Sequence, residues 1–469
     1  MGSSELVKQD DWMPARLLPT AGIRNQNEQE RRAASALLAV MSAVPDFCHA
    51  LLVQMKAPKG AISTFTELRF KDGNDKLHIP DGAVVVERGK TRWSCLVEIK
   101  TGNAALEPEQ VSRYLDLARE HGFDGPITIS NEIRSDPKTL PCSVDRRKLR
   151  GLAVYHLSWW RVLTEAIVQH RFRGIDDPDQ AWILNELIRY LDDDRSGASG
   201  FEGMGPEWVQ VRESARNQTL RASDPAAKAI AARWEQFVEY LCLNLSQELG
   251  VDVKHQRPRG KDPEERVAGI TDRLAREGIL GCSIRVPDAV GPIGLEADLR
   301  TRQVTTTVEI PAPKEGRPKT RVNWLLRQLA DAPGDLRVEV RFSQVRATCS
   351  ELLGDCSDAP EKLLLEDDPK REPRSFLLAR SKPMGKKRGR ADGSFVTETR
   401  KQTTNFYRDL VQGLMPPRTK APKIREEEQE LAETGQPASP TPAKSEGEAR
   451  REREASLRRL ADVMPYAPS

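Results

Sequence analysis

Paired cysteines are missing from this chain. Cys48, Cys95, Cys142, Cys242, Cys282, Cys349 and Cys356 are scattered, and no two stand in C-x-x-C spacing. An odd, dispersed set argues against a disulfide framework or a zinc ribbon and points to a reduced, cytoplasmic setting. Histidine is scarce, with 6 in the chain and no H-E-x-x-H among them, which sets aside histidine-based metal hydrolases. No run approaches the ~18 consecutive apolar residues of a membrane span, and the first residues lack the apolar core of a secretory signal. No G-x-x-x-x-G-K-[ST] loop is present, so any nucleotide-driven motor would be a separate protein. A charge excess is also lacking. Lys and Arg total 73 against 70 Asp and Glu, so any surface for nucleic acid has to be local.

What is present is length enough for several folded parts. The 469 residues are about three times a typical ~150-residue domain. Residues 1–24 read as a flexible arm. Helical periodicity starts at Asn27 and Glu28, with Asn25 or Asn27 as cap, and Pro45 interrupts it. Residues 61–70 alternate and are rich in β-branched and aromatic side chains, so they read as a strand. A hairpin follows, with strands at 83–87 and 93–101 around the tight turn Arg88-Gly89-Lys90. Pro108 opens a helix with Val111, Tyr114, Leu115 and Ala118 on one stripe. Strands at 126–130 and 152–157 and helices after Ser158 and at 178–191 complete an α/β layer with a mixed sheet, residues 25–192.

Residues 193–224 are acidic and then glycine-rich, which reads as a linker or mobile loop. A second α/β (or α+β) domain is expected over 225–415, with strands at 282–286, 294–300, 303–310 and 336–342. Two basic loops, 255–261 and 382–394, have the composition to lie along phosphates. Trp159, Trp160, Trp182, Trp208, Trp234 and Trp324 read as core. From residue 416 to 469 the chain is charged, proline-spotted and nearly free of large apolar residues, a disordered tail by composition.

The hairpin carries the chemistry. Residues two apart on a strand share a face, so Glu98 and Lys100 point one way while Val97 and Ile99 enter the core. Asp81 begins the partner strand and can face the same pocket. Two carboxylates, Asp81 and Glu98, with a backbone carbonyl at Ile99, make a hard-oxygen site suited to Mg²⁺ or Mn²⁺. Lys100 can orient or deprotonate a water and offset developing charge. Gln110 and Tyr114, one helical turn apart, can reach the rim of the pocket.

Pro80-Asp81, then Glu98-x-Lys100 on the next strand, then a helix, resembles the PD-(D/E)XK nuclease superfamily. Gln110-x-x-x-Tyr114 is similar to the helix motif of its RecB-like branch. The resemblance covers roughly residues 25–170. It implies an αβββαβ restriction-endonuclease-like fold and a metal-dependent nuclease. Asp81 and Glu98 would be metal ligands, Lys100 the catalytic lysine, and Gln110 and Tyr114 accessory. The family often adds an acid from the first helix or first strand. Glu28, Glu30 and Glu67 are the candidates here, with Glu67 preferred and Glu28 next. DNA is the expected substrate, with RNA left open, and DNA repair, restriction or defence against foreign DNA are compatible roles. A protein partner held by the C-terminal domain or the tail is a further expectation. The competing reading is an inactive nuclease-fold scaffold that binds DNA or protein. The second half offers an echo in Asp298, Glu309 and a following helix, but Pro311 stands in the lysine's place, and an unrelated arrangement is the preferred reading.

Overall fold

The computed structural model describes residues 16–71, 76–134, 140, 142–387 and 389–417. The expected tail from residue 418 and the first fifteen residues of the expected arm lie outside the described residues.

Helix α1 (Gln26–Ala43) starts at Asn25, whose side chain accepts the Glu28 N–H at 2.9 Å. Pro45 ends that direction and opens α2 (Pro45–Leu52). Five strands then form one sheet. They are β1 (Ala61–Thr66), β4 (Gly82–Arg88), β5 (Thr91–Ile99), β6 (Gly125–Ser130) and β7 (Tyr155–Ser158), lying side by side in that order. The short strands β2 (Phe70–Lys71) and β3 (Leu77–His78) make a separate ribbon. β1, β4 and β5 pair antiparallel, whereas β5, β6 and β7 pair parallel, so the sheet is mixed.

The parallel step needs a crossover, and α3 (Pro108–His121) supplies it. Its Tyr114, Leu117 and Ala118 pack on Ala83 and Leu96, one face of the β4–β5 hairpin. The opposite face presents Val84, Val86, Cys95, Val97 and Ile99 to α1, α2, α4 (Trp159–Val168) and α5 (Pro178–Asp192). The result is a three-layer α/β arrangement in which β5 is central and covered on both sides.

The rest of the chain builds an antiparallel layer. Helices α6 (Trp208–Arg216), α7 (Pro225–Leu249) and α8 (Pro263–Glu277) surround the entry to it. The strands are β8 (Lys254–His255), β9 (Ile279–Arg285), β10 (Ile293–Asp298), β11 (Gln303–Pro311), β12 (Arg337–Phe342), β13 (Thr348–Leu352) and β14 (Pro373–Pro383). Their order is β13-β12-β14-β11-β10-β9-β8, antiparallel throughout. Helices α9 (Pro318–Gln328), α10 (Leu353–Cys356) and α11 (Phe395–Asp409) complete it. Burial alternates along β11, with Val304, Thr306, Val308 and Ile310 inside, which marks a sheet covered on one face.

Several expectations are corrected. Residues 16–24 do not hang free: Arg16 pairs with Glu186 at 3.0 Å and Thr20 donates to Asp193 at 2.7 Å. The stretch 193–224 contains α6, and Phe201, Met204 and Trp208 lie in the large C-terminal core. Its glycines serve close approach rather than looseness. A Cβ on Gly197 would stand 2.2 Å from the Gln29 side chain, and Gly197 accepts the Gly102 N–H at 2.9 Å. The basic loop at 255–261 is turned partly inward, since Arg257 pairs with the buried Glu239 and His255 is buried beside Glu235. Trp182 is 53% exposed and is not core. β14 had no counterpart in the sequence reading, because only four consecutive residues of R-S-F-L-L-A-R-S are apolar and prolines stand at both its ends.

The echo in the second half dissolves on register. Asp298 faces Gln303 across the β10–β11 hairpin, and Glu309 lies six residues further on, about 20 Å along the strand. Asp298 accepts from the backbone of Arg300 and Thr301, while Glu309 pairs with Arg341 and accepts from Ser375.

One buried histidine makes the first sheet pH-sensitive. His156 is 2% exposed, contacts Thr128 at 3.0 Å and the Glu132 carbonyl at 2.8 Å, and burial holds its pKa down at about 4 against an ordinary 6.5. The unfolded chain therefore binds a proton between pH 6.5 and 4 that the folded chain refuses, so stability falls as pH falls through that window. The expected contribution is a loss of ~3 kcal/mol by pH 4. Denaturant titrations from pH 8 to 4 should show it, with His156→Gln flattening this part of the profile; an unchanged profile would contradict the assignment.

Candidate active site

The hairpin turns in two residues, Gly89 and Lys90, rather than the three expected from the sequence, because Arg88 belongs to β4 and pairs with Thr91. That count fixes every later pair, down to Gly82 opposite Val97. Extended by one step, the same ladder sets Asp81 opposite Glu98. The Ile99 N–H donates to Asp81 Oδ2 at 2.7 Å, which ties the two strand ends together.

Glu98 is 2% exposed, yet it faces α3 rather than the apolar core on the other side of β5. Lys100 Nζ meets Glu98 Oε1 at 2.7 Å. Gln110 Nε2 donates to the same oxygen and to the Tyr114 hydroxyl, the latter at 3.3 Å. The Tyr114 hydroxyl also bonds Glu98. Asp81, Glu98, Lys100, Gln110 and Tyr114 are thus brought into one connected group. Ile99 joins it through its N–H, while its side chain is buried in the core behind.

The acid that stands against Lys100 is Glu30 of α1, at 3.6 Å. The first turns of α1 clamp the end of β5: Gln26 donates to the Thr101 carbonyl at 3.0 Å, and Thr101 Oγ1 donates to Gln29 at 2.9 Å. Glu67, the preferred third acid, is instead exposed and paired with Arg31 at 2.8 Å, on a left-handed residue (φ 52°) that ends β1. Glu28 is engaged by the Arg24 N–H and by Arg32 in its own first turns. Helix spacing carried the distinction between Glu28 and Glu30. Positions three, four, seven and eight beyond Glu30 are Ala33, Ala34, Leu37 and Leu38, all buried, whereas those beyond Glu28 begin with Arg31, Arg32 and Ser35.

Electrostatically the group is short of positive charge. Burial and then the charge of Glu98 push the Asp81 carboxyl up to about 7, against the pull of the Ile99 N–H and Lys100. Burial raises Glu98 as well, with Lys100 opposing. Lys100 is drawn down by burial but, on balance, held above its ordinary value by Glu98, Glu30 and Asp81. Beside Asp81 opens a cleft of about 580 Å³ whose lining includes Arg31, Arg32 and Arg69. Sequence reasoning did not single out those arginines, since only the fold sets the first helix beside the 66–69 turn.

Relief of the opposed carboxylates is measurable as stability. Asp81 has a folded pKa raised above its ordinary 3.8, so above pH 7 the folded state carries a charge it disfavours. In EDTA at pH 8, Asp81→Asn is expected to raise unfolding stability by about 1–3 kcal/mol. Lys100→Met should lower it by roughly 3 kcal/mol, because it strands buried acids without their cation. Equal loss in both variants would contradict this description of the site.

No family model, curated protein or solved structure matches the chain, and the reading of this site rests on its own geometry.

Proposed function

We propose that the chain is a divalent-metal-dependent nuclease that hydrolyses phosphodiester bonds of DNA on a PD-(D/E)XK-type scaffold. The observation that carries this reading is the hairpin register, which sets Asp81 against Glu98 with Lys100 on the same strand face. Setting aside α2 and the separate β2–β3 ribbon, the order α1-β1-β4-β5-α3-β6 follows an αβββαβ pattern, and it supports the reading together with Gln110 and Tyr114 of α3 bonded to Glu98.

The residues fit a hard divalent cation. Asp81, Glu98 and Glu30 surround one lysine in a half-buried setting, and a cation would relieve their mutual repulsion. Asp81 and Glu98 would hold it, in the manner of Mg²⁺ sites that use one or two carboxylates and keep several waters. When bound, Mg²⁺ or Mn²⁺ polarises a phosphoryl oxygen and acidifies a coordinated water. The protein's own groups do the remaining work. Lys100, fixed between Glu98 and Glu30, orients the attacking water and offsets charge building on the phosphate. Gln110 and Tyr114 hold Glu98 in place. Arg31, Arg32 and Arg69 face the cleft beside Asp81, where a polyanionic backbone would enter.

One observation favours the competing reading, a scaffold that binds without cutting. Among the described residues no group of three or more His, Cys, Asp or Glu side chains is arranged to hold a metal. On that reading DNA binding survives Asp81→Ala and Lys100→Ala, and no nucleic acid is cut.

Incubation of the full chain with linear, circular and single-stranded DNA, plus Mg²⁺ or Mn²⁺, separates the two. Cleavage is expected, falling about 10²–10⁴-fold in Lys100→Ala and little changed in Glu67→Gln. Cleavage that survives Lys100→Ala would sink the site assignment. Mn²⁺ should also stabilise the wild type, by about 2.7 kcal/mol at a hundred times its dissociation constant. Thermal shift assays on Asp81→Asn and Glu98→Gln should show that gain abolished.

A further inference from the structure

The second sheet carries a positively charged cavity of about 770 Å³. Its cations are Arg212 of α6, Arg302 in the β10–β11 turn, Lys382 of β14, Lys386 and Lys387 just beyond, and Lys401 of α11. Glu398 is the acid among the described lining residues, and no aromatic side chain is among them.

Four of these cations are held from the flanks. Arg212 and Arg302 meet Glu213 at 3.5 and 3.0 Å, Lys382 meets Asp335 at 2.5 Å, and Lys401 meets Asp392. None of those three acids lines the cavity; the acid on its wall is Glu398, 3.7 Å from Lys401. The Nε of Arg212 is buried with no hydrogen-bond partner. Lys386 and Lys387 are exposed and, among the described residues, make no salt bridge; Lys387 acts on Asp392 only at longer range.

The segment bearing these two lysines is built to stay in place. The Lys386 and Lys387 N–H groups both donate to the Gly393 carbonyl, at 2.9 and 3.1 Å. That closure needs glycine at 385, where φ is 73° and a Cβ would stand 2.7 Å from the Gly393 oxygen. Further round, Gly389 lies against Gly203, and Arg390 reaches Asp194 at 3.7 Å. Lys387 also lines an adjoining cavity of about 300 Å³ together with Arg233. The 194–197 turn that Arg390 touches is the one whose Gly197 carbonyl accepts the Gly102 N–H, two residues past Lys100. Arg390 therefore meets, through an exposed ion pair, the turn that bonds to the end of β5.

We propose that this cavity, with Lys386 and Lys387 as its accessible cations, binds the sugar–phosphate backbone of a nucleic acid. Clustered cations without aromatic anchors suit a phosphate backbone better than a protein surface, whose binding core is aromatic and poor in charge. The choice of a nucleic acid over other polyanions rests on reading Asp81, Glu98 and Lys100 as a phosphodiester-cleaving centre. The cavity supplies affinity that is independent of base sequence.

The test uses the full chain carrying Lys100→Ala, in EDTA, with a fluorescein-labelled DNA duplex read by anisotropy over a range of salt. Adding Lys386→Ala and Lys387→Ala together is expected to weaken binding about tenfold or more and to lower the slope of log affinity against log salt by about 2. The corresponding Lys319→Ala protein, altered outside the cavity, should bind as before. Circular dichroism of all three proteins should coincide, since both lysines are exposed. Unchanged affinity and slope in the double variant would overturn the proposal, and so would displacement of the duplex by an acidic peptide but not by unlabelled DNA. The result separates from the nuclease reading. Lysine-dependent, salt-sensitive binding, with no cleavage by the wild-type chain in Mg²⁺ or Mn²⁺, supports the cavity and defeats the nuclease. Cleavage by a chain whose binding ignores both lysines does the reverse.

Discussion

A two-residue turn governs the first half of this molecule. Because the chain reverses at Gly89 and Lys90, every pair across β4 and β5 sums to the same register, and Asp81 arrives opposite Glu98. A turn longer by one residue would flip one strand's side chains to the other face of the sheet. Glu98 would then enter the apolar layer that Val97 and Ile99 now fill, and the group around Lys100 would not assemble. The β10–β11 hairpin shows the contrast: it has an aspartate and a glutamate too, but its register sets them far apart and each is satisfied by local partners.

The two faces of β5 divide the labour. One is sealed by α1, α2, α4 and α5, and its burial makes the strand rigid. The other meets α3, whose Gln110 and Tyr114 hold Glu98 by hydrogen bonds. Carboxylates so close in a half-dry setting oppose folding, since charge repulsion and desolvation both raise their pKa values. The surrounding packing tolerates that cost, and Lys100 offsets part of it. Strain of this kind is what a cation-binding or catalytic centre stores.

Much of this was legible in the residues. The alternation of Val97, Glu98, Ile99 and Lys100 declared which side chains share a face. The Pro108 start and the Val111, Tyr114, Leu115 and Ala118 stripe declared α3 and its buried side. Helix spacing put Glu30, rather than Glu28, on the apolar side of α1 with Ala33, Ala34, Leu37 and Leu38, but it could not weigh Glu30 against Glu67. Glycine-rich composition misled at 193–224, where small residues mark close backbone approach to Gln29 and Trp160. β14 escaped because its charged ends and flanking prolines hide a strand whose inward residues are few.

The sequence by itself determined that a hairpin forms and that Glu98 and Lys100 share a strand face, because strand periodicity and a tight turn are local properties of neighbouring residues. The tertiary structure alone decided that Glu30 rather than Glu67 meets Lys100. It alone set three arginines along the cleft beside Asp81 and gathered Arg212, Arg302, Lys382, Lys386, Lys387 and Lys401 around one cavity. Apart from neighbours such as Arg31 and Arg32 or Lys386 and Lys387, those residues lie tens to hundreds of positions apart, and nothing in the local chain encodes which helix or turn packs beside them.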